Sequence, residues 1–265
     1  MFKLILLLVL SITATSWFVR NDAAEYSAFK KLAQTADRQR CYARWVLKSF
    51  WLFSGATFFC LLILQRLHAL MQMPGEFLPL ATRLRAIVPP ALIPDKGLIA
   101  GIICGAVVGS ALLGVAVTKK LKVKPLIVGD IEPLMPRNTA ETGWATLLAL
   151  NAGLSEEVFF RLLLPLLLSG LFHNALLAFA LTTILFGLIH FYQGAAGIFI
   201  TTLVGAALAC LYLWTGNLWV AIAVHAGIDL LGLVVRPTVT RILTSAEVQA
   251  VSVPSEITST ATSFD

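Results

Sequence analysis

The chain has 265 residues, of which 58% are hydrophobic and 13% charged, with a mean hydropathy of +0.85. A soluble domain carries about 25% charged residues, and a chain of this length has no interior large enough for so much apolar surface, which excludes an ordinary soluble enzyme, a disordered protein and a fibrous one. The basic surplus, 20 Lys and Arg against 14 Asp and Glu for a net +6, reads as basic loops at anionic headgroups rather than as a nucleic-acid footprint.

A helix needs about 20 apolar residues to cross the hydrocarbon core. In chain order, the runs that meet this are 2–19, 49–67, 97–118, 143–172, 175–192, 197–215 and 217–235. The expected fold class is therefore all-α, a polytopic membrane helical bundle of about seven (six to eight) transmembrane helices. Ala14-Thr15-Ser16 resembles a signal-cleavage site, but Lys3 alone supplies a basic leader, so the first run reads as a membrane anchor. Run 143–172 is long for one span and is expected either to tilt or to break near Gly153. Gly97, Gly101, Gly105 and Gly109 recur every four residues along the third span, a close-packing seam. Loop 68–96 contains Pro74, Pro79, Pro89, Pro90 and Pro94 and is expected to be irregular. Residues 244–265, rich in Ser and Thr, read as a disordered tail. The organisation expected is N-terminal helices and basic loops over 1–142, a catalytic helical core over 143–235, and a tail over 236–265.

With seven spans, segment 20–48, loop 119–140 and the C-terminal tail share one side. Together they hold fourteen basic residues, including Arg20, Lys48, Lys119, Arg137, Arg236 and Arg241. The other side has five: Lys3, Arg66, Arg83, Arg85 and Lys96. The positive-inside rule places the tail in the cytoplasm and the N-terminus outside, in a multi-pass protein of the cell (inner or plasma) membrane. The four cysteines form neither a disulfide framework nor a metal knuckle.

Six charged residues or histidines lie well inside the spans: Glu156, Glu157, Arg161, His190, His225 and Asp229. A charge at mid-bilayer costs about 2.5–3.5 kcal/mol on insertion scales, so such residues face a protein interior or a wet cavity and mark function. Taken singly, each has a plain structural reading: an ion pair for Glu157–Arg161, a carbonyl hydrogen bond for a lone histidine. All six fall in the C-terminal half, none in the three earlier spans. Glu157 and Arg161 are i,i+4 and share a face, as do His225 and Asp229. Glu156 points about 100° away from Glu157, so the two carboxylates need not share a role. Three helices thus converge carboxylates and imidazoles on one intramembrane cavity.

A Glu with a His partner activates water as general base, and a neighbouring His with a polar side chain stabilises an oxyanion. That chemistry is amide hydrolysis without a covalent intermediate. No Gly-flanked serine elbow surrounds Ser155, only one intramembrane aspartate exists, and HExxH is absent. Two His and a carboxylate also suit zinc, so a metal stays open.

Glu156-Glu157-Val-Phe-Phe-Arg161 resembles an EExxxR motif, Phe186-Gly-Leu-Ile-His190 an FxxxH motif, and His225-Ala-Gly-Ile-Asp229 an HxxxN/D motif. In this order and on apolar helices they resemble the CPBP family, the CAAX-protease and bacteriocin-processing membrane proteins related to type II CAAX prenyl endopeptidases. The resemblance covers about 143–235; nothing in 1–142 matches a motif. It implies an intramembrane glutamic endopeptidase acting on a membrane-anchored or lipidated protein or peptide. By motif, Glu156 with His190 would activate the water and His225 with Asp229 would form the oxyanion pocket. Glu157 and Arg161 would support the site. No cofactor is implied, with zinc as the alternative. Asp229 departs from the Asn of many members: an ionised Asp repels an oxyanion, so Asp229 is either protonated, an orienter of His225, or a metal ligand. The competing readings are an inactive scaffold or bacteriocin-immunity protein, and a proton-coupled transporter.

Overall fold

The computed structural model describes residues 1–87, 105, 109 and 129–242. The third span, most of its glycine seam and the 244–265 tail lie outside the described residues. The chain is helical from its first residues, with α1 (Phe2–Phe29), α2 (Thr35–Ser49), α3 (Ala56–Ile63) and α4 (Leu78–Ile87) before the gap. After it come α5 (Thr139–Glu157), α6 (Leu164–Phe172), α7 (Ala175–Ile189), α8 (Gly194–Thr215) and α9 (Leu218–Leu230). Short π-helical turns join α2 to α3 (Phe50–Gly55), join α5 to α6 (Val158–Leu163), and follow α9 (Leu231–Val235). No strand occurs among the described residues. The fold is an all-α membrane helical bundle.

Among the described residues, four stretches are long and apolar enough to cross a bilayer: Phe2–Phe29, Thr35–Ile63, Phe191–Thr215 and Leu218–Ile242. Their outward faces carry bare apolar side chains, among them Val9 at 54%, Phe59 at 61% and Phe199 at 63% exposure, a surface that suits lipid and not water. Two expectations are corrected, and one open choice is decided. Segment 20–48 is a helical hairpin, with α1 running to Phe29 and the next helix beginning at Thr35, because Tyr26, Phe29, Tyr42 and Trp45 bury one another across it. The proline-rich loop is irregular only in part: 3₁₀ turns at Leu67–Leu70 and Gly75–Phe77 lead into α4, which starts beside Pro79 because the first helical turn needs no N–H from proline. The long run does not break at Gly153; its irregularity is the π turn at Val158–Leu163, and the helix continues to Phe172.

Helices α5, α7 and α9 are each started by an asparagine cap. The Asn138, Asn174 and Asn217 side chains accept from the N–H of Glu141 (3.0 Å), Leu177 (3.0 Å) and Trp219 (3.0 Å).

Successive helices run between two ends. At one end Leu4 lies against Gly170, Arg66 pairs with Glu76, and Arg85 Nε donates to the Trp214 carbonyl at 2.8 Å. At the other, Tyr26 hydroxyl and Lys30 meet Asp130, Asp130 N–H donates to the Gln193 carbonyl at 3.1 Å, and Arg241 donates to the Pro136 carbonyl at 3.4 Å. The described basic residues of 20–48, Arg137 and Arg241 therefore gather at one end, away from Lys3, Arg66 and Arg85.

That basic end is tied together by Glu141. Its carboxylate, 0% exposed, accepts from Arg38 Nε at 3.0 Å and from Arg137 at 2.9 Å through the side chain and 3.0 Å through the backbone N–H. Arg38 also donates to the Pro133 and Met135 carbonyls and lies 4.2 Å over the Phe29 ring. Burial pushes the Glu141 carboxyl up, but the Arg137 and Arg38 hydrogen bonds outweigh it and hold it down at about 2. A carboxyl depressed in the folded state stabilises fully above its ordinary value of 4.5, and the contribution fades as pH falls toward about 2. Glu141→Gln leaves buried Arg38 uncompensated and is expected to cost about 3–5 kcal/mol. Thermal denaturation in detergent checks this: the gap between wild type and Glu141→Gln should be constant above pH about 5 and shrink on acidification.

Candidate active site

The site is built where α5 crosses α9. A Cβ on Gly153 would stand 2.6 Å from the backbone nitrogen and Cβ of Ala226, so only glycine allows this approach. One turn beyond Gly153 is Glu157 and next to Ala226 is His225, so the approach brings these two side chains together. His225 Nδ1 lies 2.7 Å from Glu157 Oε1, and Arg161 Nη1 lies 3.1 Å from the same oxygen. Glu157 is 0% and Arg161 2% exposed. Arg161 lies within the π turn that begins at Val158, and its guanidinium packs 4.0 Å over the Phe186 ring and reaches the Gly205 carbonyl at 3.4 Å. π turns widen a helix by one residue and recur at functional sites.

Glu156 faces elsewhere, as the 100° step requires. Its Oε2 stands 3.9 Å from His190 Nε2, too far for a direct hydrogen bond, and it has no hydrogen-bond partner among the described residues. His190 Nδ1 donates to the Phe186 carbonyl at 2.7 Å, which leaves Nε2 as the nitrogen turned to Glu156. Asp229 Oδ2 lies 3.6 Å from His225 Nε2, one turn along α9. The Phe186 ring spaces the two imidazoles, 4.9 Å from His190 and 5.9 Å from His225.

All six intramembrane residues named from the sequence thus fall into two linked groups. Glu156 and His190 form one; Arg161, Glu157, His225 and Asp229 form a continuous chain. Their exposures differ. Glu156 (14%), His190 (12%) and Asp229 (28%) can be reached, whereas Glu157 cannot. The Glu157–His225 bond is not visible in the sequence, because it joins residues 68 positions apart on different helices.

Glu156 and His190 open into a cavity of about 100 Å³. Its far wall comes from the N-terminal half: Phe18, Asp22 and Tyr26 of α1, with Trp45, Ser49 and Phe53. The sequence reading missed this wall, because hydropathy ends the first span at Val19 while the helix continues; the i,i+4 stripe Phe18, Asp22, Tyr26 was the available signal.

The donors are poorly disposed for a metal. His225 Nδ1 is taken by Glu157 and His190 Nδ1 by a carbonyl, while the remaining nitrogens each face a single carboxylate at 3.6 and 3.9 Å. Among the described residues no three His, Cys, Asp or Glu side chains converge as a metal-binding group.

Residues 138–231 match the model for type II CAAX prenyl endopeptidase Rce1-like proteins. The match begins at the Asn138 cap and ends where α9 passes into its π turn. It contains all six intramembrane residues and supports assignment to the CPBP, or CAAX-protease, family. No curated protein and no solved structure matches the chain.

Two stability predictions follow from this geometry. Glu157→Ala or Arg161→Ala strands a buried charge and is expected to cost about 3–5 kcal/mol, read as lost folded yield and a lower melting temperature in detergent; normal accumulation and melting of either variant would contradict the pairing role. Gly153→Ala forces backbone apart at the α5–α9 crossing and should cost about 1–3 kcal/mol, with the His225 imidazole NMR signals shifting away from their wild-type position.

Proposed function

We propose that this CAAX-protease-family membrane protein is an intramembrane endopeptidase that cleaves a membrane-anchored or lipidated protein or peptide with water activated by Glu156 and His190. The observation that carries the reading is the Glu156–His190 pair: a buried carboxylate oxygen without a hydrogen-bond partner, 3.9 Å from an imidazole nitrogen whose other nitrogen is already committed. That gap is the width across which one water oxygen contacts both groups. Glu156 takes a proton from the water as it attacks the carbonyl, and His190 Nε2 orients it.

His225 is held between Glu157 and Asp229, with one carboxylate facing each ring nitrogen. Its Nδ1–H goes to Glu157, so its Nε2–H is the donor that meets the carbonyl oxygen as charge develops there. Asp229 then acts through His225, by orienting the ring from 3.6 Å, and does not meet the oxyanion itself. Of the three roles open to it, Asp229 takes the orienting one in this proposal. Glu157 and Arg161 are positioning residues. The donor arrangement favours a metal-independent reaction.

The aromatic cavity suits an apolar substrate segment. A groove between α1 and α7, lined by Ile12, Thr15, Val19, Leu185 and Leu188, shares Ile189 with the cavity and offers a lateral way in from the bilayer. With the basic end cytoplasmic by the positive-inside rule, the cavity is reached from the inner leaflet of the cell membrane.

The test uses purified protein in lipid nanodiscs with a library of lipid-anchored peptides, analysed by mass spectrometry. Glu156→Gln keeps size and removes basicity, and should lower cleavage by about 10²–10⁴-fold; cleavage near the wild-type rate would overturn the assignment. Exhaustive chelation should leave the wild-type rate intact, with elemental analysis showing no stoichiometric zinc. Zinc whose removal abolishes cleavage and whose return restores it would overturn metal independence. A scaffold or immunity protein would show no cleavage at all, with a phenotype indifferent to Glu156→Gln.

A further inference from the structure

We infer that Asp22 on α1 is a specificity-determining residue that binds a cationic side chain, Lys or Arg, of the substrate inside the cavity shared with Glu156. The inference rests on the peptidase reading for what the cavity holds, and on Asp22 itself for the charge it selects.

The first observation is the charge of the wall. The cavity lining carries two carboxylates, Asp22 and Glu156, and one imidazole, with no Lys or Arg. Phe18, Asp22 and Tyr26 follow one another by single helical turns, so Asp22 is presented to the cavity by the same face that buries Tyr26. Asp22 makes no hydrogen bond or salt bridge among the described residues. The neighbouring cation is already committed: Lys48 Nζ donates to Glu25 Oε1 at 2.9 Å and lies 4.7 Å over the Phe18 ring. Glu25 is fully used in turn, its second oxygen accepting from Trp45 Nε1 at 2.9 Å.

The second observation is what surrounds Asp22. Phe18, Tyr26, Trp45, Phe53 and Tyr192 make the wall aromatic. Aromatic faces with a carboxylate among them are the chemistry that receives an ammonium or guanidinium group: the faces attract the cation and the carboxylate neutralises it. The same wall repels an anionic group. Membrane-anchored proteins carry Lys and Arg where their anchors meet the cytoplasmic interface, so a basic residue beside the anchor is the partner of the right charge at the right depth. Asp22 lies outside the matched segment 138–231, so the catalytic groups and the selecting charge come from different parts of the chain.

The experiment measures binding, with no need for turnover. Full-length Glu156→Gln protein in nanodiscs is titrated with fluorescent N-palmitoyl hexapeptide amides of alanine and norleucine, in which one Lys, one ε-acetyl-Lys or one Glu is moved through each position. Binding is read by anisotropy. At one or two positions Lys should bind about tenfold tighter than norleucine or ε-acetyl-Lys, the size of a partly desolvated charge pair, and Glu should bind more weakly than either. Asp22→Asn and Asp22→Ser should erase the Lys preference while keeping the affinity for the all-neutral peptide, which also reports that each variant is folded. Equal binding of the Lys, neutral and Glu peptides at every position overturns the inference without any variant, as does a Lys preference that survives both substitutions. A Lys preference in a protein whose wild type cleaves none of the peptides overturns the peptidase reading and leaves this one standing; cleavage without charge preference does the reverse.

Discussion

Every arrangement around the site depends on how one buried carboxylate is compensated. Glu157 is wholly enclosed, in a bundle whose surroundings are lipid and aromatic rings. A charge in that setting must be paired or it is expelled. Arg161 from the same helix and His225 from α9 both converge on its Oε1, at 3.1 and 2.7 Å. One residue thereby sets the rotation of α5, the crossing of α5 on α9, the ring orientation of His225 and, through the guanidinium on Phe186, the spacing between the two histidines. Glu156, its neighbour in sequence, is left with an uncommitted oxygen because the pairing of Glu157 fixes which way the helix faces.

The packing around that pair is made of close approaches and aromatic spacers. Gly153 lets two helix backbones touch, and Gly205 does the same for the Phe186 ring, where an added Cβ would stand 2.8 Å from Cδ1. In a bilayer, where lipid competes with apolar side chains, such small-residue contacts supply much of helix association. The π turn after Glu157 adds a residue to the helix where Arg161 must swing to the Gly205 carbonyl. A regular turn would point the guanidinium differently.

The basic end is organised by the same rule with a different outcome. Glu141, Arg137 and Arg38 are compensated by several hydrogen bonds each, and nothing there is left uncommitted. Glu156 and Asp22 differ from Glu141 in that neither carboxylate has a hydrogen-bond partner among the described residues, and both are partly exposed.

The sequence by itself determined the class of molecule and which ionisable residues lie inside its apolar helices. An apolar content of 58% leaves only a bilayer fold, and a charge that survives inside an apolar helix is costly enough to be conspicuous, so Glu156, Glu157, Arg161, His190, His225 and Asp229 stood out one by one. Periodicity also paired Glu157 with Arg161 and His225 with Asp229, because i,i+4 is a local relation. Tertiary structure decided everything that joins distant segments. The Glu157–His225 bond, the role of Gly153 as a contact instead of a break, and the wall supplied by α1 and α2 depend on which helix faces touch. Hydropathy is blind to that, because a helix in lipid is apolar on every side. Asp22 escaped for the related reason that α1 outlasts its apolar run: packing of Tyr26 and Phe29 against Tyr42 and Trp45 carries the helix on to Phe29, where composition alone ends it ten residues earlier.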